Sequence, residues 1–252
     1  MSRSNPTINN PNPSTRWFEI KADSDKPRIQ YYDREKEANV VVKPPFTFIL
    51  LDELSTMTGF HDQSQSGIYA NEVRDTRAEP FVVKAFKGGI LASGFYANIK
   101  DKAVAAGAKF TTVMYIAFKE GKGKLQLGAM KLNGASLSAW FDFRKDNRKA
   151  IYEMAITVPL TKAWTPGKKG KIKWLAPKFE LTKISEATNK EALAIDGIIQ
   201  EYLTGYFKKN KADAAQPAPG EHPQQDAPDN ADQPDPPADP DEPPAEDDDV
   251  PF

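Results

Sequence analysis

The chain has 252 residues and a net charge of −1; it has no cysteine, which excludes a disulfide framework, a thiolate metal site and a thiol nucleophile. No apolar run approaches the roughly 20 residues that a membrane-spanning helix needs. The charge is divided: residues 212–252 hold 13 acidic and no basic residues, so the chain's 34 basic and 35 acidic residues leave 34 against 22 before residue 212, a balance of +12. A basic body with an acidic tail is the asymmetry expected of a nucleic-acid-binding protein.

Residues 1–15, rich in Asn, Pro and Ser, read as a flexible arm with no apolar segment of the secretory kind. Residues 16–211 then read mostly as strands: 16–21, 28–33, 39–43, 46–51, 67–74, 80–89, 109–119, 123–132, 149–158, 170–176 and 178–184. Gly, Pro, Asn and Lys separate many of them. Two helices interrupt the pattern. The first is 95–107, ending on Gly107. The second begins near Thr188, where Thr188 and Glu191 have capping-box spacing. Its apolar stripe is Ile195, Ile198, Ile199, Tyr202, Leu203 and Tyr206. The stretch 137–146 fits a helix or a strand. Many short strands with turn signals predict a mainly β barrel or sandwich with a C-terminal helix. The tail, 212–252, holds 11 of the 21 prolines and few large apolar residues, so it is expected to be disordered.

Groups for catalysis are scarce. Of two histidines, His222 lies in the tail and His61 in a loop beside Asp62. There is no phosphate-binding glycine loop, dinucleotide fingerprint or nucleophile elbow. Asp23 with Asp25, and Asp52 with Glu53, are carboxylate pairs of the kind that also occur in turns. The expectation is a protein that is not an enzyme and has no cofactor or metal. A nuclease using Asp52, Glu53 or Asp62 is the enzymatic alternative.

Basic residues interleaved with aromatics are what the body has in excess. Lys84 and Phe86, two apart in a strand, project from one face, with Lys87 beside them. Tyr115, Phe118, Lys119, Lys122 and Lys124 surround a hairpin. Trp140, Phe141 and Phe143 accompany Arg144, Lys145, Arg148 and Lys149. Lys168, Lys169, Lys171 and Lys173 lie between Trp164 and Trp174. Unpaired bases stack on aromatic rings and phosphates require cations, so the mixture points to single-stranded nucleic acid. The candidate contacts are Lys84, Phe86, Lys87, Tyr115, Phe118, Lys119, Lys122, Lys124, Trp140, Phe143, Arg144, Arg148, Trp164, Lys168, Lys169, Lys171 and Trp174. Trp140 and Trp164 lead the aromatics because they adjoin basic loops. Phe46, Phe48, Phe81 and Tyr152 are assigned to the core.

The ending Asp247-Asp248-Asp249-Val250-Pro251-Phe252 resembles the C-terminal tip of bacterial single-stranded DNA-binding proteins, a run of aspartates followed by Ile-Pro-Phe. Val250 in place of isoleucine is the one departure. The Pro-, Gln- and Asp-containing linker before it is also similar, so the resemblance covers residues 212–252. The body looks more like the divergent single-stranded DNA-binding proteins of phages and mobile elements. The resemblance implies an OB-fold body, with helix 95–107 between its third and fourth strands. It also implies that Phe252 enters an apolar pocket on a replication, recombination or repair protein. Asp247, Asp248 and Asp249 would then sit on that partner's basic rim. It places the chain in the cytoplasm of a bacterial cell or phage-infected host, bound to single-stranded DNA and not to membrane; a homo-oligomer is consistent with this. A protein-interaction or chaperone-type protein, and an RNA-binding protein, are the alternatives.

Overall fold

A computed structural model of the chain describes residues 11–121 and 123–214, with side chains as far as Lys209. Residues 1–10 of the arm, Lys122, the tail from residue 215 and the tip Asp247–Phe252 lie outside the described residues. The described residues belong to one unit, which ends at Ala215.

The body is mainly β. A meander opens it: β1 (Trp17–Lys21), β2 (Arg28–Asp33) and β3 (Ala38–Val42). Alternation turns Phe18, Ile20, Ile29 and Tyr31 inward. β4 (Phe46–His61) runs ten residues past the expected end at 51. Asp52 and Glu53 interrupt the apolar run, but a bulge between Leu50 and Asp52 absorbs them and pairing with the next long strand resumes. β5 (Ser66–Ala70), β6 (Phe81–Ala85) and β7 (Gly89–Gly94) follow as antiparallel neighbours. The expected strand 80–89 is thus two strands, and 67–74 stops at Ala70. Helix α1 (Tyr96–Ala105) then leads into β8 (Ala108–Lys119) and β9 (Leu125–Asn133).

The ambiguous stretch is helix α2 (Gly134–Asp146). The expected strand 149–158 divides into a 3-10 turn, Ala150–Tyr152, and β10 (Ala155–Val158). β11 (Thr165–Lys169) and β12 (Ile172–Ala176) form a separate hairpin, β13 (Glu180–Thr182) pairs with β10, and α3 (Glu186–Ala214) ends the described chain. No helix among the described residues is long and apolar enough to cross a membrane.

The main sheet is mixed, in the order β3-β2-β1-β9-β8-β4-β5-β6-β7, with β10 and β13 branching from β4. It does not close into a barrel. The edge of β9 that could seal one is taken by β1, which pairs in parallel from Trp17↔Ala129 to Glu19↔Lys131. β3 and β7 are left as the sheet's ends.

Three apolar clusters hold the sheet. Phe18, Phe46, Phe48, Ile116, Phe118, Met130 and Trp140 pack under α2 on one face. On the other face Val113, Tyr115, Ala117, Leu127 and Ala129 pack under α3. Met57, Ile68, Phe81 and Val83 pack under α1. α3 buries Ala192, Ile195, Ile199 and Leu203, whereas Ile198, expected in the stripe, is exposed. The capping residue is Ser185, not Thr188: Ser185 Oγ accepts the Thr188 amide at 3.2 Å. Glu191 is used differently, with its carboxylate accepting the Leu125 amide at 2.8 Å and pinning α3 to β9.

Candidate nucleic-acid interface

Four of the seven candidate aromatics are core residues, which corrects their assignment as contacts. Tyr115, Phe118, Trp140 and Trp164 are buried and present no ring face to a base. Tyr115 lies beneath α3 and donates its hydroxyl to Glu72 at 2.7 Å. Phe118 packs edge-on against Phe18, 4.9 Å between centroids. Trp140 donates Nε1–H to Glu53 at 2.9 Å and meets Phe179 edge-on. Trp164 donates to the Pro159 carbonyl at 3.2 Å. Phe143 is half-buried between Trp140 and Phe179. Tyr152, assigned to the core, is instead exposed.

The basic candidates among the described residues remain at the surface but are dispersed over several elements. Arg144 pairs with Glu53 at 2.9 Å, and Arg148 is exposed just beyond α2. Lys119 lies 3.8 Å from Glu191, and Lys124 is exposed across the same turn. Lys168, Lys169 and Lys171 stand exposed on the β11–β12 hairpin, and Trp174 lies half-buried over Gly167. Lys119 is at the opposite end of β8 from the β4–β5 turn, about 35 Å away at roughly 3.3 Å per residue.

Lys84, Phe86 and Lys87 do fall together, and the sheet adds residues to them. Phe86 is 74 % exposed, and its ring lies 4.7 Å from that of Tyr69, tilted 36°. Cross-strand register explains the meeting. Tyr69 is opposite Lys84, and Lys84 is opposite Ile90. Phe60 is opposite Gly67, and the Phe86 ring lies beside Gly67. Thr58 is opposite Lys109. Side chains directly opposite in a pair share a face, so one face carries two rows: Lys109, Thr58, Tyr69, Lys84 and Ile90, then Phe60, Gly67 and Phe86. Phe60, Tyr69 and Ile90 are all exposed.

The apolar side chains of α3 that pack on the sheet, Ala192, Ile195, Ile199 and Leu203, meet it at Val113, Tyr115 and Ala117 and not at the row. Lys109 and Thr111 continue the same face of β8 as Val113, Tyr115 and Ala117, which α3 covers. The last described turns of α3 are held at Glu72 and Arg74. The Tyr206 hydroxyl accepts the Glu72 amide at 2.7 Å, and the Phe207 ring lies 5.3 Å from the Arg74 guanidinium. The opposite face of β5–β7 is sealed by Ile68, Phe81 and Val83. A hydrogen-bonded chain steadies the corner beneath Phe86. His61 Nδ1 lies 2.7 Å from Ser64 Oγ, Ser64 lies 2.9 Å from Ser66, and Ser66 Oγ accepts the Lys87 amide at 3.1 Å. His61 thus has a bracing partner.

Tyr69, Phe60, Lys109 and Ile90 were missed from sequence. Tyr69, Lys109 and Ile90 lie in or beside segments read as strands, whereas Phe60 lies in the part of β4 beyond 51; only the pairing register puts the four beside Lys84 and Phe86.

Of the acidic candidates, Asp52, Glu53 and Asp23 are already engaged. Arg74 grips Asp52 with both guanidinium nitrogens, at 2.8 and 2.7 Å, and Gln200 donates to Asp52 at 3.0 Å. The hydrogen bond to Asp52 raises the Arg74 pKa further. Glu53 accepts from Trp140 and Arg144. Asp23 is 3.9 Å from Arg28. No group of three or more metal-ligating side chains occurs among the described residues. Glu72 differs, because burial pushes its carboxyl above the ordinary 4.5 despite the Tyr115 hydroxyl. A raised folded-state pKa means that the native protein binds the extra proton, so stability falls as pH rises above about 4.5. Glu72→Gln should remove that fall. Urea unfolding at several pH values should show the variant gaining on the wild type between pH 4 and pH 7, with no gain below that window.

Compared with known proteins, the chain matches no family model, no curated protein and no solved structure.

Proposed function

We propose that the protein binds single-stranded DNA without using a catalytic group, protects it with little sequence preference, and recruits replication, recombination or repair proteins through its C-terminal tip. The exposed Tyr69–Phe86 ring pair beside Lys84 carries this reading. Two adjacent rings offer stacking surfaces to successive bases, and Lys84, Lys87 and Lys109 supply cations for the phosphates. The strand order supports an OB-type body. β4 to β7, then α1, then β8 back on β4 and β9 on β8 are similar to the connectivity of that fold with one strand more before the helix, and β1 occupies the edge where the barrel would close.

The direct test is a filter-binding titration with oligo-dT. Saturable binding at low salt that weakens as salt is added supports the reading, and no binding at low salt removes it. In that event the apolar residues Phe60, Phe86 and Ile90 favour a protein-binding face, since exposed apolar patches mark interaction sites. Competition between matched DNA and RNA oligomers decides the sugar preference.

The tip Asp247-Asp248-Asp249-Val250-Pro251-Phe252 pairs an aromatic anchor with an acidic lead, which suits capture by a basic pocket. Deleting Phe252 alone should abolish pull-down of replication or repair proteins and leave oligo-dT affinity within about twofold, as anisotropy titration would show. The tail's charge also opposes that of the body. Truncation after Ala215, which spares α3, should tighten oligo-dT binding at low salt and lose this effect as salt screens the tail. Equal affinities at low salt would contradict it.

A further inference from the structure

We propose that the β11–β12 hairpin is a second nucleic-acid contact, one that enters a groove of duplex DNA. The inference rests on the DNA-binding reading above for its partner. Its grounds are the hairpin's own geometry.

The hairpin stands apart from the main sheet as a two-stranded ribbon. Its turn is two residues, Gly170 and Lys171, between the paired Lys169 and Ile172. Gly170 has φ +57°, a value that favours glycine. Register then sorts the side chains. Lys169 and Ile172 share one face, and Lys168 and Lys173 the other, while Lys171 sits at the turn. Two lysines directly opposite each other repel. None of the four makes an ion pair among the described residues. Positive charge on both faces of a narrow ribbon suits a slot walled on both sides by phosphates. A single strand would meet one face only. The major groove admits a two-stranded ribbon of this kind.

Ile172 is 71 % exposed beside the turn. An apolar side chain there, flanked by cations, fits contact with base edges or insertion between steps. The base of the hairpin is fixed while its tip projects. The Leu175 amide donates to the Ala22 carbonyl at 2.8 Å, Asp23 bridges to Trp174, and the Trp174 indole lies over Gly167.

Anisotropy titrations of the full chain with oligo-dT, a blunt duplex and a duplex bearing a single-stranded tail test the proposal. Replacing Lys168, Lys169, Lys171 and Lys173 by alanine should lower affinity for both duplexes at least tenfold at low salt. It should reduce the salt slope on duplex by about 3 to 4 and leave oligo-dT affinity within about threefold. Arginine at all four positions should restore duplex binding, which guards against a folding defect. Ile172→Ser should weaken binding to both duplexes several-fold while leaving the salt slope unchanged, since it removes no charge. Equal losses on oligo-dT and duplex would make the hairpin part of the single-strand path and overturn the proposal, as would no loss on either. Unchanged duplex affinity in Ile172→Ser overturns the role of that side chain. Wild-type protein that binds duplex through these lysines but not oligo-dT would remove the single-strand reading and keep this one.

Discussion

Replacing Tyr69 and Phe86 together by alanine should weaken oligo-dT binding by about 30-fold or more, at 1–3 kcal/mol per stacked ring and 1.4 kcal/mol per factor of ten. Phe86→Ala alone should carry the larger share, because its ring is the more exposed of the two. Stability should change little. Neither ring is buried, and substitutions at such surface positions cost within about 0.5 kcal/mol. Lys84→Ala should act differently, reducing the salt slope by about 0.7 without removing a stacking surface. The measurement is an anisotropy titration across salt concentrations, beside a urea melt of each variant. Unchanged oligo-dT affinity in a folded double variant would move the interface elsewhere.

Trp140→Ala should do the reverse, costing about 3–5 kcal/mol of stability while leaving the affinity of the folded fraction unchanged. The indole is fully buried against Phe143 and Phe179. Its removal also takes a donor from Glu53, whose Oε2 already lacks a partner among the described residues. Trp140→Phe keeps most of the packing and loses the hydrogen bond, so a smaller loss of about 1–3 kcal/mol should follow. Urea unfolding resolves the two variants. A Trp140→Ala protein that unfolds normally and binds poorly would show the ring to be a contact after all.

These two experiments divide the aromatics along the line that sequence reading could not draw. A ring next to a basic residue in the chain is equally compatible with core and with contact; only the side of the element it occupies decides. For α2 that side could have been read. Ser136, Leu137 and Trp140, with Phe143 behind them, follow helical spacing, and assigning 134–146 as helix would have turned Trp140 inward. For Tyr69 it could not be read, because its partners come from β6 across a turn of ten residues whose register is set by the sheet. The Lys84–Phe86 pair was legible because two residues within one strand need no partner to share a face. The strands were legible where alternation was clean, as in 28–33, and not where Asp52 and Glu53 broke it. Those charges tolerate the sheet interior because Arg74, Gln200, Trp140 and Arg144, all remote in sequence, converge on them.

The parallel seam between β1 and β9 imposes an order of assembly. The strands from β4 to β9 can zip as successive antiparallel neighbours, apart from the return of β8 to β4 across α1. β1 cannot join until β9 exists, more than 100 residues later in the chain. Contacts of such separation form slowly. The first meander emerges early in synthesis with Phe18, Ile20, Ile29 and Tyr31 still uncovered. Its lag is the interval in which a nascent chain is most prone to aggregate. Conditions that slow closure of the seam should therefore lower the yield of soluble protein before they lower the stability of the finished fold.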